Sequence, residues 1–303
     1  MGLYLNPQGG TMTQTTHGPI PKRQYKDGIP LSIIGFGGIL VCSEDQITGN
    51  RYVAEAIDRG INYFDVAPSY FDGEAELKLG IALEPYRNDV FLACKTGKRD
   101  ADGAQAELEA SLRRLRTDYF DLYQFHAVTT MDEVEQILGP KGAAETFLKA
   151  RNAGLVRYLG FSAHSIEAAL ALMDAFPVDS VLFPLNFVMV SQGNFGPQIL
   201  KKAEQIGAAR MALKSMAATP WAEGEVHSYQ KAWYKPADSA GLRQRALRYT
   251  LSQDISAAIP PGHYELYKEA LETASAFVPM NKTEQQALLD EAGGLSPLFS
   301  HPA

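Results

Sequence analysis

Cysteine is scarce in this chain: Cys42 and Cys94 are the two thiols in 303 residues. So few exclude a disulfide-stapled scaffold and fit a reducing compartment, so a cytoplasmic location is expected and both cysteines read as structural. No apolar run reaches the ~18 residues that a membrane-spanning helix requires. Basic runs are missing too, with 28 Lys and Arg against 35 Asp and Glu and a net charge of −7. Nucleic acid and anionic membrane surfaces are therefore not expected as partners. Metal-ligand spacings such as H-x-H or C-x-x-C do not occur, so no metal is expected. The first residues lack a basic stretch followed by an apolar one, which argues against a secretory signal, and Asn6 stands where myristoylation needs Ser or Thr. Residues 1–17 are expected to form a loose tail, with Met12 as an alternative start. Residues 296–303, with two prolines, are expected to form an irregular C-terminal surface tail. No low-complexity linker divides residues 18–295, which are expected to form one domain.

Hydrophobic residues make up 46% of the chain, enough for a large core. A short apolar run followed by a longer amphipathic stretch recurs eight times. The short runs are 31–37, 63–67, 90–95, 121–126, 158–163, 180–186, 209–215 and 255–260. Near-continuous apolarity, rather than alternation, is what parallel strands covered on both faces need. Between them Leu108, Leu112 and Leu115 stripe a helix. Gly60, Gly154 and Gly207 stand where a helix ends before a strand. Ser43 with Gln46, Thr130 with Glu133 and Thr283 with Gln286 have capping-box spacing. Eight strand–helix units predict an α/β fold of the (β/α)8 barrel type, with an N-terminal hairpin over 18–30 and an extra C-terminal helix over 281–291. The alternative is an open doubly wound sheet. Its phosphate fingerprint needs a third glycine, which Gly35-Phe36-Gly37-Gly38-Ile39-Leu40 lacks. Long segments after strand four (127–142) and strand seven (218–236) are candidate substrate walls.

Barrel interiors are filled by Val, Ile and Leu, so polar residues at strand ends need a reason. Asp65, Lys95 and His126 end three consecutive strands, and Tyr70 lies five residues past Asp65. Each has a bland reading: a turn aspartate, a core histidine, a packed tyrosine. An ammonium at the end of an apolar strand is costly unless paired, and Asp65 is its natural partner. The set suits carbonyl reduction. Lys95 would favour the Tyr70 phenolate and lower its pKa, Asp65 would hold Lys95, and neutral His126 would donate to the same oxygen. A barrel lyase or isomerase using Lys95 as a Schiff base also fits. Ile39, Phe71, Val128, Trp221 and Trp233 are candidate pocket walls. Substrate identity and oligomeric state are not readable.

Four stretches, LSIIGFGG, INYFDVAPSYFDGEAELKLGIAL, VFLACK and YFDLYQFH, resemble the aldo-keto reductases, and weaker likeness runs on to about residue 275. The resemblance implies a (β/α)8 barrel that binds NADP, or alternatively NAD, without a Rossmann domain and reduces an aldehyde, ketone or sugar carbonyl. Tyr70 would be the general acid, tuned by Lys95 and Asp65, with His126 orienting a small-molecule carbonyl substrate. Gly37 and Gly38, Ser162, Ala163 and Asn186 would line the nicotinamide end. Lys214 and Ser215 would meet the cofactor phosphates, and Gly262, His263 and Lys268 the adenosine ribose or its 2′-phosphate. The chain departs from the family pattern where Ala163 replaces Asn and Leu182 replaces Gln, which would leave the carboxamide to Ser162 and Asn186 and motivates an alternative, a nicotinamide-binding sensor or scaffold with little turnover. A third departure follows strand eight, where Pro261, Gly262 and Tyr267-Lys268 stand in place of the Lys, Ser and Arg of NADP-using members.

Overall fold

An Asp-Gly pair starts the architecture. Asp27 and Gly28 both take positive φ (52° and 82°), the conformation a tight hairpin requires. They join β1 (Lys22–Gln24) to β2 (Pro30–Ser32), which pair antiparallel. The computed structural model describes residues 18–302; the tail expected over 1–17 lies outside them. Tyr25 and Leu31 of the hairpin pack with Tyr63, Phe91, Leu122 and Met211 inside the barrel, so the hairpin closes the floor as expected.

The eight parallel strands are β3 (Phe36–Gly37), β4 (Tyr63–Asp65), β5 (Phe91–Thr96), β6 (Phe120–Val128), β7 (Val156–Ala163), β8 (Ser180–Pro184), β9 (Ala209–Leu213) and, after an antiparallel ribbon of β10 (Ala217–Pro220) and β11 (Tyr234–Pro236), β12 (Ala257–Ile259). Each pairs with its predecessor, and the circle closes where Ile34 bridges Ala258, with Gly35 N–H donating to the Ala258 carbonyl at 2.9 Å. The first run is not one strand, as 31–37 was expected to be. Leu31 and Ser32 belong to the floor hairpin, and Ser32 Oγ donates to the Ile34 carbonyl (2.8 Å), turning the chain up into β3. Gly35 is required at that bend, because a Cβ there would come within 2.6 Å of the Tyr63 ring.

Helices α1 (Gln46–Asp58), α2 (Glu74–Leu83), α3 (Ala101–Arg114), α4 (Met131–Leu138), α5 (Ala143–Asn152), α6 (Ile166–Ala175), α7 (Phe187–Gln192), α8 (Pro197–Gln205), α9 (Ala240–Leu251), α10 (Tyr264–Ser275) and α11 (Lys282–Glu291) surround the barrel. Their apolar faces meet the outer faces of the strands in one continuous core that includes Val53, Leu108, Phe125 and Phe161. The Thr130–Glu133 capping box forms. The other two do not. Asp45 caps α1 by accepting from Thr48 N, while Ser43 takes φ 60° and donates its N–H to Glu74. Asn281 and Glu284, rather than Thr283 and Gln286, form the box on α11. Among the described residues no helix is long and apolar enough to cross a membrane.

Residues 296–302 carry no helix or strand and are tied to the barrel by particular contacts. His301 N–H donates to the Gly193 carbonyl (2.8 Å), and the Phe299 ring lies 4.7 Å from His164 and 6.0 Å from Trp233. Residues 299–301 are thereby held against the barrel.

Candidate active site

Asp65, Lys95 and His126 stand at the ends of adjacent strands, with β4 pairing β5 and β5 pairing β6 in parallel register. A bulge in β6 aims the histidine. Ala127 takes φ 51°, its N–H donates to Ser162 Oγ (2.7 Å), and the Arg99 guanidinium donates to the His126 carbonyl (2.7 Å). Such bulges re-aim side chains beside active sites. Tyr70 is aimed by a second irregularity. The turn Tyr70–Gly73 carries left-handed Phe71 and Asp72 (φ 51° each) and Gly73 (φ 88°) before α2 begins. Non-glycine residues in that region cost energy and persist where the surroundings hold them.

The four side chains meet. Lys95 is almost wholly buried and donates to Asp65 Oδ1, to the Val66 carbonyl (3.3 Å) and to Tyr70 Oη (3.3 Å). Asp65 Oδ2 accepts from Gln124 Nε2 (3.0 Å) and Tyr63 Oη (3.4 Å). The Tyr70 and His126 rings meet edge to face, 5.7 Å apart. Burial pushes Lys95 toward deprotonation, but Asp65 and Tyr70 outweigh it and raise the ammonium's pKa. A lysine held charged in this way has no lone pair for Schiff-base chemistry. Burial, then the Lys95 charge, pulls the His126 imidazole down to about 3, so it is neutral at physiological pH. In the tautomer that accepts from Ser69 Oγ, 3.3 Å from Nδ1, Nε2–H is the ring's free donor. The expectation for Tyr70 is corrected. Lys95 does favour the phenolate, but burial dominates and the phenol's pKa is raised rather than lowered. Tyr70 therefore stays protonated at neutral pH.

These groups line a cavity of about 490 Å³. Gly37, Ser162, Lys214 and Gly262 line it too, as do Ile39 and Trp233 among the candidate walls. Phe71 points to solvent, Val128 is buried in the core, and Trp221 instead donates to the Ala232 carbonyl (2.9 Å) within its own loop. Gly38 and Ala163 are buried and do not line the cavity. Asn186 caps α7 by accepting from Met189 N (2.9 Å) and donates to the Lys214 carbonyl (3.0 Å), so both ends of its amide are committed. Leu182 lines the cavity with an apolar surface.

Beyond Lys214 the residues suit an extended anionic ligand. Ser215 Oγ and His263 Nδ1 are buried without partners, and buried polar atoms are ordinarily satisfied. No side chain caps the α10 N-terminus at His263, which leaves N–H groups suited to an anion. Gly262 presses on Ile39, since a Cβ there would lie 1.8 Å from Ile39 Cγ2. Lys268 lies apart from the cavity. It pairs with Glu265 (2.8 Å) and stands 5.3 Å from the Tyr264 ring, over which Arg51 also lies at 5.9 Å.

Sequence reasoning missed Gln124, His164, Lys231 and Phe299. Gln124 precedes His126 by two in one strand, so strand alternation places both on the interior face, and that signal was present. Lys231 crosses the groove to donate to the Leu40 carbonyl (3.1 Å) and Glu44 (2.9 Å). Phe299 is brought in by tertiary packing alone.

Comparison with known proteins agrees with this fold. A family model for the aldo/keto reductase family matches residues 34–286. The chain is 27% identical over 279 residues to the uncharacterized oxidoreductase YqkF of Bacillus subtilis, covering 82% of this chain and 89% of that protein. It is 34% identical over 176 residues to the aldo-keto reductase YhdN of the same organism, about half of each chain (52% and 51%). The fold superposes on an aldo-keto reductase from Bacillus halodurans in its holo form, with a TM-score of 0.71 and 24% identity over 90% of this chain and 96% of that one. A Klebsiella pneumoniae aldo/keto reductase in complex with NADP and acetate gives a TM-score of 0.69 and 20% identity, over 94% and 98%. The family model's match over residues 34–286 establishes that this chain belongs to the aldo/keto reductase family of NAD(P)-dependent oxidoreductases, and the barrel fold agrees.

Proposed function

We propose that the protein reduces the carbonyl group of a small aldehyde or ketone, with Tyr70 as the general acid. The observation that carries this reading is the contact between Lys95 Nζ and Tyr70 Oη at 3.3 Å, inside a cavity that His126 also lines. When bound, a reduced nicotinamide dinucleotide supplies the hydride. The protein's own groups then deal with the oxygen. Neutral His126 donates a hydrogen bond and orients the carbonyl, and Tyr70 Oη delivers its proton as charge develops on that oxygen. Lys95 stabilises the resulting phenolate, and Asp65 keeps the lysine charged and fixed. Ser215, Gly262 and the α10 N-terminus would hold the dinucleotide's phosphates, and Ser162 would meet the carboxamide. NADP is favoured over NAD because Arg51 lies over Tyr264 at the start of α10, beside Lys268 and its partner Glu265, where a 2′-phosphate would meet the guanidinium and could draw Lys268 from its carboxylate.

Fluorescence titration with NADPH and NADH, followed by NADPH consumption on adding a simple aldehyde, tests the proposal. Binding with turnover is expected, with tighter binding of NADPH. Failure to bind either nucleotide would remove the reading, and binding without turnover of any carbonyl would favour a sensor.

A further inference from the structure

The charges lining the cavity do not balance. Four charged side chains reach it: Asp65, Lys95, Lys214 and Lys231. Asp65 and Lys95 neutralise each other. Lys231 pairs with Glu44 at 2.9 Å. Among the described residues no carboxylate pairs with Lys214, whose ammonium instead lies 4.7 Å from the Trp233 ring centre and 5.1 Å from that of Tyr234. Ring faces hold a cation in place without cancelling its charge.

The backbone is arranged to present this cation. Lys214 takes φ 65°, a left-handed conformation that a long side chain rarely adopts. Its carbonyl is held there by Asn186 Nδ2 (3.0 Å) and by the Ala217 N–H (3.0 Å). Strain kept in place by surrounding bonds is characteristic of ligand sites. The charge also acts at the reacting end of the cavity. Burial lowers the pKa of both His126 and His164, and the Lys214 charge adds to it; Lys214 in turn is pulled down to about 8 by burial and then by Lys95. Trp233 and Phe299, edge to face beside it, line the same cavity, and the Trp233 ring is also exposed to solvent.

We propose that Lys214 is a specificity-determining residue that binds an anionic group of the substrate, so that the preferred substrates are carbonyl compounds bearing a carboxylate. This rests on the reductase reading above. The competing source of the anion is the dinucleotide's own phosphates.

The test compares matched pairs of aldehydes, charged and neutral but of equal shape: para-formylbenzoate with para-formylbenzamide, and succinate semialdehyde with its amide. The wild-type protein should show a kcat/KM about ten- to a hundredfold higher for the acid in at least one pair, the range expected for a hydrogen bond to a charged group. Lys214→Met should bring that ratio to about one, and Lys214→Arg should keep it above one. Benzoate should quench tryptophan fluorescence at lower concentration than benzamide in the wild type, and this difference should vanish in Lys214→Met. Turnover of all four aldehydes with no preference for the acids would overturn this inference and leave the reductase reading intact, whereas no turnover of any would remove that reading first. Loss of NADPH affinity in Lys214→Met with the acid preference unchanged would assign the cation to the dinucleotide and overturn the inference.

Discussion

Replacing Asp65 by Asn removes one charge from the centre of the site and keeps the shape. The hydrogen bonds can be repaired locally. Gln124 Oε1 has no partner, so its amide can flip to accept from the new Nδ2 while the asparagine oxygen still faces Lys95. What remains is a buried ammonium without its counter-ion. Breaking a buried pair costs about 3–5 kcal/mol, and the repair places this variant near the lower end. For a chain of this size that corresponds to a fall in Tm of ~5–10 °C. The pH dependence has a definite sign. In the wild type the folded-state pKa of Lys95 is raised, so its stabilisation is complete below the unfolded value of about 10.4 and is lost only as pH rises through the folded value. In the variant, burial is left nearly unopposed and the folded state binds this proton less tightly than the unfolded chain. Stability of Asp65→Asn should then rise with pH toward ~10, and its deficit should narrow between about pH 7 and 9. Urea unfolding at both pH values measures this. A variant within ~0.5 kcal/mol of wild type at pH 7, or a deficit that widens with pH, would refute the reasoning.

Three further outcomes follow from other contacts. Gly262→Ala forces a Cβ into Ile39, so it should destabilise the protein by about 1–3 kcal/mol and weaken NADPH binding; Ile39→Ala in the same chain should restore both, as read by thermal unfolding and fluorescence titration. Phe299→Ala removes ring contacts with His164, Phe195 and Trp233 and should raise KM for aromatic aldehydes about two- to tenfold, with little change in kcat. Because Lys214 loses its charge as pH rises through about 8, the kcat/KM preference for carboxylate-bearing aldehydes should fade from pH 7 to 9. His126 and His164 are already neutral over that range, while Lys95 stays charged. A preference that holds unchanged at pH 9 would count against the assignment.

The barrel was legible because its signal is local and repeated. Each inner strand is a short apolar run, and the polar residues Asp65, Lys95 and His126 interrupt that pattern at the same relative place. Periodicity then brings them together without any knowledge of distances. The helix starts were less legible, since several polar residues compete within one turn. Asp45 won over Ser43 because Ser43 turns its N–H to Glu74. Asn281 won over Thr283 by the same competition. The walls were least legible. Trp221 and Trp233 look alike in sequence, but one ties its own loop together and the other stands on the rim. Phe299 reaches the cavity from a segment that carries only prolines as local signals, since its position is fixed by contacts distant in sequence. The direction of the Tyr70 shift was misjudged for a related reason: a charge partner can be inferred from spacing, but the burial that outweighs it cannot.

The most direct test is Tyr70→Phe, which removes one oxygen and keeps the ring against His126. Full-length protein should bind NADPH as the wild type does, while kcat/KM for aldehyde reduction falls by about 10²–10⁴, the usual contribution of a positioned acid. If the phenylalanine variant retains reduction within about threefold of wild type, the proton comes from elsewhere and the account of this site is wrong.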